Sequence, residues 1–247
     1  MHPILFRFGP ITLYSYGLLL AMGFFAAVGL AEKRARQRGL DPGTIQNLCL
    51  VCLVAGILGA RITYVLLFWE SFRSDPLEIL KLHHGGLVFY GGLVAGTIAG
   101  IWYMRRAKLL VLETVDLVIP SLVVGHAIGR IGCFMNGCCR GKPTTVPWAV
   151  AFPPEKIPCH PAQLYESAAL VALLLFLLYL GRRRPTPGTI SLTYGLLYSI
   201  WRFLIEFLRD NPVGPLGLTL FQWMSLPLGF VCGCALWSRR GTSVSHR

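Results

Sequence analysis

Residues 126–141 read HAIGRIGCFMNGCCRG and join an apolar helix to a polar, cysteine-rich turn. Arg130 stands between Gly129 and Gly132 near the end of the apolar run. An arginine at the centre of a membrane helix costs about 2.5–3.5 kcal/mol on insertion scales. Because a residue this costly is seldom kept for packing, the stretch predicts the floor of a site for an anionic substrate drawn from the membrane.

The composition indicates an integral membrane protein. Of the 247 residues, 54% are hydrophobic and only 14% are charged, whereas about a quarter are charged in soluble domains. The net charge of +12 is distributed between apolar runs and forms no single basic stripe, so we expect the lipid bilayer as a partner and no nucleic acid. The first apolar run is long enough to span and follows one cation, Arg7, so no cleavable signal peptide is predicted.

Seven apolar stretches approach the roughly 20 residues that a membrane-spanning helix needs. They are residues 11–31, 45–69, 86–104, 115–134, 164–180, 188–208 and 218–237. The third stretch contains five glycines, which predicts close contact with another helix. We therefore expect an all-α integral membrane protein, a bundle of about seven transmembrane helices that forms a single catalytic domain over residues 1–247.

The basic residues predict the orientation in the membrane. Thirteen of the 23 lysines and arginines fall on alternate connections, at 33–38, 105–108, 182–184 and 239–247, and seven fall on the longer connections of the other face. Excess Lys and Arg mark the cytoplasmic side. The N-terminus is therefore predicted outside and the C-terminus in the cytoplasm, with residues 126–141 at the outer face.

The three remaining basic residues fall inside or at the edge of predicted spans: Arg61, Arg130 and Arg202. Tyr194, Tyr198, Arg202 and Glu206 recur every four residues, which places them along one helix face. His126 precedes Arg130 by the same spacing.

Two interpretations of these charges are open. Each arginine could pair with a nearby acid, such as Arg202 with Glu206, and merely tie the helices together. The three arginines, however, face few acids at membrane depth, chiefly Glu166 and Glu206. Surplus positive charge favours a site for phosphate, which the forked guanidinium group suits. A phospholipid head group supplies phosphate at this depth.

Four cysteines are predicted at the outer face: Cys133, Cys138, Cys139 and Cys159. A zinc site formed with His160 is one interpretation, but the spacing matches no common zinc pattern, so we predict no metal and no cofactor. A disulfide from Cys159 to Cys138 or Cys139 is a second interpretation. Free thiols packed in the turn are the third.

Several motifs together resemble one protein family, the prolipoprotein diacylglyceryl transferases. The resemblance covers nearly the whole chain, and the block at 129–137 followed by the block at 160–166 is its most specific part. The motifs are SYG at 15–17, GARITYVLLF at 59–68, GGLVFYGGL at 85–93, GRIGCFMNG at 129–137, HPAQLYE at 160–166, YSIWRFLIEFLR at 198–209 and FQWMSLP at 221–227.

This resemblance implies a transferase of the bacterial inner membrane. Family members move the diacylglyceryl group of phosphatidylglycerol to the lipobox cysteine in the signal peptide of a prolipoprotein, and glycerol 1-phosphate leaves. Seven membrane helices, an outside N-terminus and an active site toward the periplasm are also implied.

Matching positions then imply the site residues. Arg130 is the first expected contact of phosphatidylglycerol. The other implied substrate-binding residues are Tyr16, Arg61, Asn136, Gly141, Tyr198 and Arg202. The implied catalytic residues are Arg130, Arg202, Glu206, Tyr90 and His160.

The chain departs from the family pattern at three places. Tyr90 replaces a histidine that many members carry between two glycine pairs and that is proposed as the base there. Cys133 and Cys138 replace the Asn of GNF and the Glu of Asn-Gly-Glu. The base is therefore open among Tyr90, His160, Glu206 and outside water.

Two other classes of function compete with the transferase. Arginines inside membrane helices also suit a transporter or flippase for an organic anion or lipid. Such proteins often contain inverted repeats with interrupted helices, and no repeat is visible here. A non-catalytic scaffold that keeps the family fold is the other competitor.

Overall fold

A computed structural model describes residues 4–8, 11–73, 75–81, 85–153 and 156–242. Residues 243–247, which end the predicted basic cluster at 239–247, lie outside the described residues. In the described part the chain is mostly helical, with seven long helices that we label α1 to α7. They are α1 (Ser15–Gln37), α2 (Pro42–Leu67), α3 (Phe89–Arg106), α4 (Val111–Asn136), α5 (Ala162–Arg182), α6 (Thr189–Ile205) and α7 (Leu220–Thr242).

Five of these helices are long and apolar enough to cross a membrane: α1, α2, α4, α5 and α7. The other two in the described part are α3, with 18 residues, and α6, with 17 residues. The chain is therefore a multi-pass, mainly helical membrane protein, as its composition predicts. The number of seven spans and the orientation stay predictions.

Two small antiparallel hairpins accompany the helices. β1 (Ile4–Phe8) pairs with β2 (Ile11–Tyr14), and β3 (Val150–Phe152) pairs with β4 (Ile157–Cys159) between α4 and α5. The predicted start of the first span at residue 11 is therefore wrong, because α1 begins at Ser15. The residues of 11–14, ITLY, are β-branched or large and apolar and suit a strand as well as a helix, so hydropathy alone joined them to the helix.

The described contacts group the chain into two compact units. One contains residues 1–30 and 115–247, and the other contains residues 31–114. The single catalytic domain expected from the sequence stays a prediction. Each unit is considered by itself below.

In the unit of residues 31–114, α2 and α3 pack against each other through glycines. A Cβ atom on Gly91 would lie 2.7 Å from the carbonyl oxygen of Gly59, and one on Gly92 would lie 2.8 Å from that of Gly56. Real Cβ atoms essentially never approach an atom this closely. The glycines of the third predicted span thus produce the close helix contact that they predict.

In the other unit, α4, α5 and α6 share a small apolar core. Val123 and Ala127 of α4 contact Leu170 and Leu177 of α5 and Ile190 of α6. This core fixes the three helices side by side, so polar residues further along them can meet. The side chains of those polar residues form the site described below.

Asp116 orders the cytoplasmic end predicted for this helix group. Its carboxylate accepts hydrogen bonds from the backbone N–H groups of Gly188 (2.7 Å) and Ser191 (2.8 Å) at the start of α6. A carboxylate at a helix N-terminus satisfies unpaired N–H groups and complements the helix dipole. The interaction ties α4 to α6 at the end opposite Arg130.

The glycine contact yields a stability prediction. Gly91→Ala should lower the free energy of unfolding by about 1–3 kcal/mol, because the added methyl group overpacks the α2–α3 contact. Gly29→Ala in α1 is the matched control, since its Cβ would meet nothing within 4 Å. Thermal unfolding of both variants in detergent measures the difference, and equal melting temperatures would contradict the packing described.

Candidate active site

The site is built around the buried carboxylate of Glu166 on α5. Its side chain is fully buried, and Arg130 Nη2 lies 2.7 Å from Oε1. Tyr198 donates its hydroxyl to Oε1 at 3.4 Å, and Arg209 Nη1 donates to Oε2 at 3.4 Å. His126 Nε2 lies 3.9 Å from Oε1. Residues of α4, α5, α6 and the segment after α6 therefore converge on one carboxylate.

Glu206 provides a second buried carboxylate. Arg202 Nη1 lies 3.0 Å from its Oε2, and Arg209 Nε lies 3.8 Å from the same oxygen. Thr219 Oγ1 and Asn211 Nδ2 donate hydrogen bonds to Oε1 at 2.8 and 2.5 Å. Arg209 thus interacts with both carboxylates and joins them into one cluster.

The local sequence explains how this cluster forms. His126 and Arg130 are four residues apart and share one face of α4. Arg202, Glu206 and Arg209 follow at positions i, i+4 and i+7, the spacing of one face in a continuous helix. The α-helix ends at Ile205, and a 3₁₀ turn over Glu206–Leu208 leads to Arg209.

Positive charge exceeds negative charge in this cluster. Three guanidinium groups, of Arg130, Arg202 and Arg209, meet the two carboxylates of Glu166 and Glu206. The side chains of the three arginines are only 16%, 10% and 8% exposed. A buried charge without a counterion is unfavourable, so this arrangement is suited to an anion.

Some donors of the cluster are also unused. Within the described residues, the buried Nε of Arg130 and Nη1 of Arg202 have no hydrogen-bond partner. Arg202 Nη1 is close to Glu206 Oε2, but the approach lacks hydrogen-bond geometry, so we treat that contact as an ion pair. Buried donors without any partner are rare, and Arg130 Nε is such a donor among the described residues.

The structure therefore brings together four of the residues that the sequence predicts: Arg130, Tyr198, Arg202 and Glu206. It also contains the Arg202–Glu206 pair of the alternative interpretation. This pairing uses two carboxylates and leaves one guanidinium in excess, and the interpretation as a phosphate site stays a prediction.

His160 and Gly141 lie in a connected region beside this cluster. The backbone N–H of Gly141 donates to the carbonyl oxygen of His160 at 2.9 Å. His160 Nδ1 is 3.3 Å from the hydroxyl of Tyr165, which also accepts a hydrogen bond from Trp148 Nε1 at 2.6 Å. A Cβ on Gly141 would lie 2.6 Å from the carbonyl oxygen of Leu208, so only glycine fits there.

Tyr16 of α1 and Asn136 of α4 both lie near the end of α4 that carries Arg130. Asn136 is the last residue of α4. A Cβ on Gly132 would lie 3.3 Å from Cδ2 of Tyr16, so the tyrosine ring packs on α4 two residues after Arg130.

Arg61 and Tyr90 belong to the unit of residues 31–114. Tyr90 lies in the first turn of α3, where its ring packs edge-on against Phe89, with centroids 5.6 Å apart. The buried guanidinium of Arg61 donates to backbone carbonyl groups of the connection before α3. Its acceptors are Glu78 (2.5 Å), Ile79 (2.9 Å), Lys81 (3.5 Å), Gly85 (2.6 Å) and Gly86 (3.2 Å).

Three residues of the cluster were not assigned to the site from the sequence: His126, Glu166 and Arg209. Arg209 follows the predicted span at 188–208, so hydropathy places it in a connection rather than in a helix. Its i+7 spacing from Arg202 is the signal that could have found it. Glu166 was recognised as an acid at membrane depth but was given no role.

The cysteines of the outer turn are close together in space. The Sγ atoms of Cys133, Cys138 and Cys139 all lie within 4.8 Å of one another. All eight cysteines are free, and Cys159 is buried, with its thiol donating to the Ile157 carbonyl oxygen at 3.4 Å. Hydrogen bonds from the Cys133 and Cys138 thiols, together with the nearby Arg209 guanidinium, lower the pKa of the Cys139 thiol.

An apolar groove of about 320 Å³ runs along α5 and α6. Leu173 and Phe176 of α5 line it together with Leu197 and Trp201 of α6. Tyr198 also lines the groove and hydrogen-bonds to Glu166. Tyr198 therefore contacts both the apolar groove and the cationic cluster.

These features define a class: a multi-pass membrane protein with a buried, positively charged site beside an apolar groove. The chain belongs to the prolipoprotein diacylglyceryl transferase family, whose model matches residues 3–238. The resemblance stated from the sequence motifs is confirmed.

Individual relatives agree with this membership. The phosphatidylglycerol–prolipoprotein diacylglyceryl transferase of Clostridium tetani is 37% identical over 232 residues, which cover 92% of this chain and 93% of the relative. The enzyme of the same name from Pseudoalteromonas atlantica is 38% identical and covers 99% of this chain and 91% of its own length. The one from Nitratidesulfovibrio vulgaris is also 38% identical, over 91% and 86%.

The close approach at Gly141 yields a second stability prediction. Gly141→Ala should lower the free energy of unfolding by about 1–3 kcal/mol, because the methyl group would collide with the Leu208 carbonyl oxygen and the backbone there cannot yield cheaply. Gly129→Ala, on α4, is the control, since nothing lies within 4 Å of its Cβ. Identical thermal unfolding of the two variants in detergent would contradict the contact.

Proposed function

We propose that this protein transfers the diacylglyceryl group of phosphatidylglycerol to the lipobox cysteine thiol of a prolipoprotein, with release of glycerol 1-phosphate. This is the first step of bacterial lipoprotein maturation. The observation that carries the proposal is the excess of buried guanidinium groups over buried carboxylates at Glu166 and Glu206. The names of the relatives supply the two substrates.

The charge of the cluster matches the proposed lipid. Phosphatidylglycerol carries one negative charge on its phosphodiester, which would balance one excess guanidinium. Arg130 Nε has no hydrogen-bond partner among the described residues and is the donor proposed to bind a phosphate oxygen, with Arg202 beside it. Hydrogen bonds between guanidinium and phosphate are charge-assisted and about twice as strong as neutral ones.

The groove along α5 and α6 suits an acyl chain. Its lining is almost wholly apolar, and it reaches Tyr198 at the edge of the cationic cluster. A lipid whose chain lies in this groove would have its head group next to Arg130 and Glu166. The same molecule would thus satisfy the apolar and the charged parts of the site.

The reaction is a displacement at the glyceryl carbon that carries the phosphate. The thiolate of the peptide forms a C–S bond while the C–O bond to phosphate breaks, and the electron pair of that bond stays on the phosphate oxygen. The leaving group therefore gains negative charge beside Arg130 and Arg202. Removing one preorganised donor of this kind typically costs about 3–4 kcal/mol of activation free energy.

The peptide thiol must also lose its proton, because the thiolate is the nucleophile. Tyr90, His160 and Glu206 are the protein groups proposed for this step, with outside water as the alternative. His160 is held by Tyr165, whereas both oxygens of Glu206 already face donors. We propose positioning roles for Glu166 and Gly141, which hold Arg130 and the turn after α4.

The remaining expectations complete the proposal. Seven spans in one catalytic domain, an outside N-terminus and a cytoplasmic C-terminus follow from the apolar runs and the basic connections. In the bacterial inner membrane this orientation places the Arg130 end of α4 toward the periplasm. Tyr16, Asn136 and Arg61 are proposed to line the lipid site, with Arg61 acting through the carbonyl groups that it orders.

The assignment of Arg130 is tested by substitution. Purified protein receives phosphatidylglycerol and a lipobox peptide, and both glycerol phosphate release and the mass shift of the peptide are measured. Arg130→Ala should lower transfer by at least about 100-fold, and Arg130→Lys should recover only part because it keeps charge without the fork. Arg73→Ala, at an exposed arginine, is the control.

Each outcome of this assay is informative. Near wild-type transfer by Arg130→Ala would overturn the site assignment. A transporter, a flippase or a scaffold would give neither product even with the unsubstituted chain.

The role of Tyr90 is tested separately. Tyr90→Phe keeps the ring and removes the hydroxyl, so the rate should fall and the pH profile should change if Tyr90 handles the proton. The single-turnover rate of peptide modification is measured across pH. An unchanged rate and profile would move the role to His160 or Glu206, and the corresponding variants His160→Gln and Glu206→Gln decide between these two.

A further inference from the structure

The proposed reaction does not use the three thiols that meet after α4. Cys133 lies in the last turn of α4, and Cys138 and Cys139 lie in the following turn. Their three Sγ atoms lie within 4.8 Å of one another, and the acceptor thiol of the transfer belongs to the peptide. The cluster therefore needs an explanation of its own.

The backbone of the turn is shaped to bring the third sulfur into the group. Gly137 has φ +76° and Cys139 has φ +62°. The left-handed region is unfavourable for a residue with a Cβ, so Cys139 adopts it at a cost. The N–H of Cys138 donates to the Cys133 carbonyl oxygen at 3.1 Å and closes the turn. Together these features fold both later cysteines back toward Cys133.

The spacing of the sulfurs fits a thiophilic metal ion. Zinc bonds to thiolate sulfur are about 2.3 Å long, so three sulfurs of a tetrahedral site lie about 3.8 Å apart. Side-chain rotations that contract the group by about 1 Å would reach that geometry. Cys133 and Cys138 are half-buried and Cys139 is exposed, which leaves an entry path and room for a fourth ligand.

Although the cysteine spacing along the sequence predicts no metal, we propose that Cys133, Cys138 and Cys139 form a zinc site, with three thiolates as protein ligands and water at the fourth position. Three thiolates and one Zn²⁺ carry a net charge of −1. The backbone of Arg209 pairs with Gly141, two residues after Cys139, so a positively charged residue lies beside the negatively charged loaded site. Thiol protons are released on binding, as for other cysteine sites.

The loaded site would brace the turn against the cationic cluster. Gln163 Nε2 at the start of α5 donates to the Cys138 carbonyl oxygen at 2.6 Å. The Lys142 N–H donates to the Leu208 carbonyl oxygen at 2.8 Å, one residue before Arg209. A metal ion that fixes Cys138 and Cys139 therefore also holds the segments that carry Glu166 and Arg209.

The test is metal binding by the full chain, with no use of transferase activity. The protein carries an affinity tag without histidine and is purified in detergent. It is then reduced and incubated with Zn²⁺, and excess metal is removed. Elemental analysis should find one zinc per chain. The triple variant Cys133→Ser/Cys138→Ser/Cys139→Ser should retain none, and Cys49→Ser/Cys234→Ser should retain the same zinc as the unsubstituted chain.

Two further measurements test the zinc site if the triple variant folds poorly. Co²⁺ in place of zinc should give a sulfur-to-cobalt charge-transfer absorption that weakens in each single serine variant and is unchanged in Cys49→Ser/Cys234→Ser. Added Zn²⁺ should also raise the melting temperature of the chelator-treated protein. Zinc no higher than in the triple variant, or a disulfide within the cluster with no zinc uptake after reduction, would overturn the proposal.

Discussion

The buried carboxylate of Glu166 is the constraint on which the site depends. It holds Arg130 of α4, Tyr198 of α6 and Arg209 after α6 around one point. Without it, three guanidinium groups would share a buried space with a single remaining acid, Glu206, and uncompensated buried charge is strongly destabilising. The helices can therefore approach at this level only because an acid from α5 lies between them. The excess of one positive charge that remains is what makes the cluster a place for an anion.

Buried charges are compensated differently at the two ends of the group formed by α4, α5 and α6. At one end Asp116 is satisfied by backbone N–H groups at the start of α6, so its charge is used for helix packing. At the other end the arginines outnumber the acids and some buried donors have no protein partner among the described residues. Packing elsewhere relies on apolar contacts and on glycine, as between α2 and α3. The buried charges of Asp116 and Arg61 are satisfied by backbone groups, whereas the cluster at Glu166 keeps an excess of guanidinium groups.

Sequence reasoning reached the parts of this architecture that depend on local pattern. Arg130, Arg202 and Glu206 were found because charge within an apolar run is conspicuous, and their helices follow from run length. Arg209 was not predicted because the apolar run ends before it. Its spacing of seven residues from Arg202 matches one helix face, but the α-helix ends at Ile205 and a 3₁₀ turn precedes Arg209. The strand at Ile11–Tyr14 was absorbed into a helix, since run length cannot tell the two apart. The three sulfurs come together because Cys139 adopts a left-handed backbone conformation. No residue pattern predicts that conformation at a cysteine.

Tyr198 has a consequence for which lipids the site can select. Tyr198 lines the apolar groove and its hydroxyl hydrogen-bonds to Glu166, so the chain and the head group of the proposed lipid would both lie against this side chain. The distance between hydrocarbon and charge is then set by the size of one residue on a rigid helix. If the proposed lipid binds here, its phosphate must lie at a fixed height above its chains to reach both the groove and the arginines. Water-soluble glycerol phosphates and lipids with bulkier linkers would then be poor ligands even though they carry the same charge.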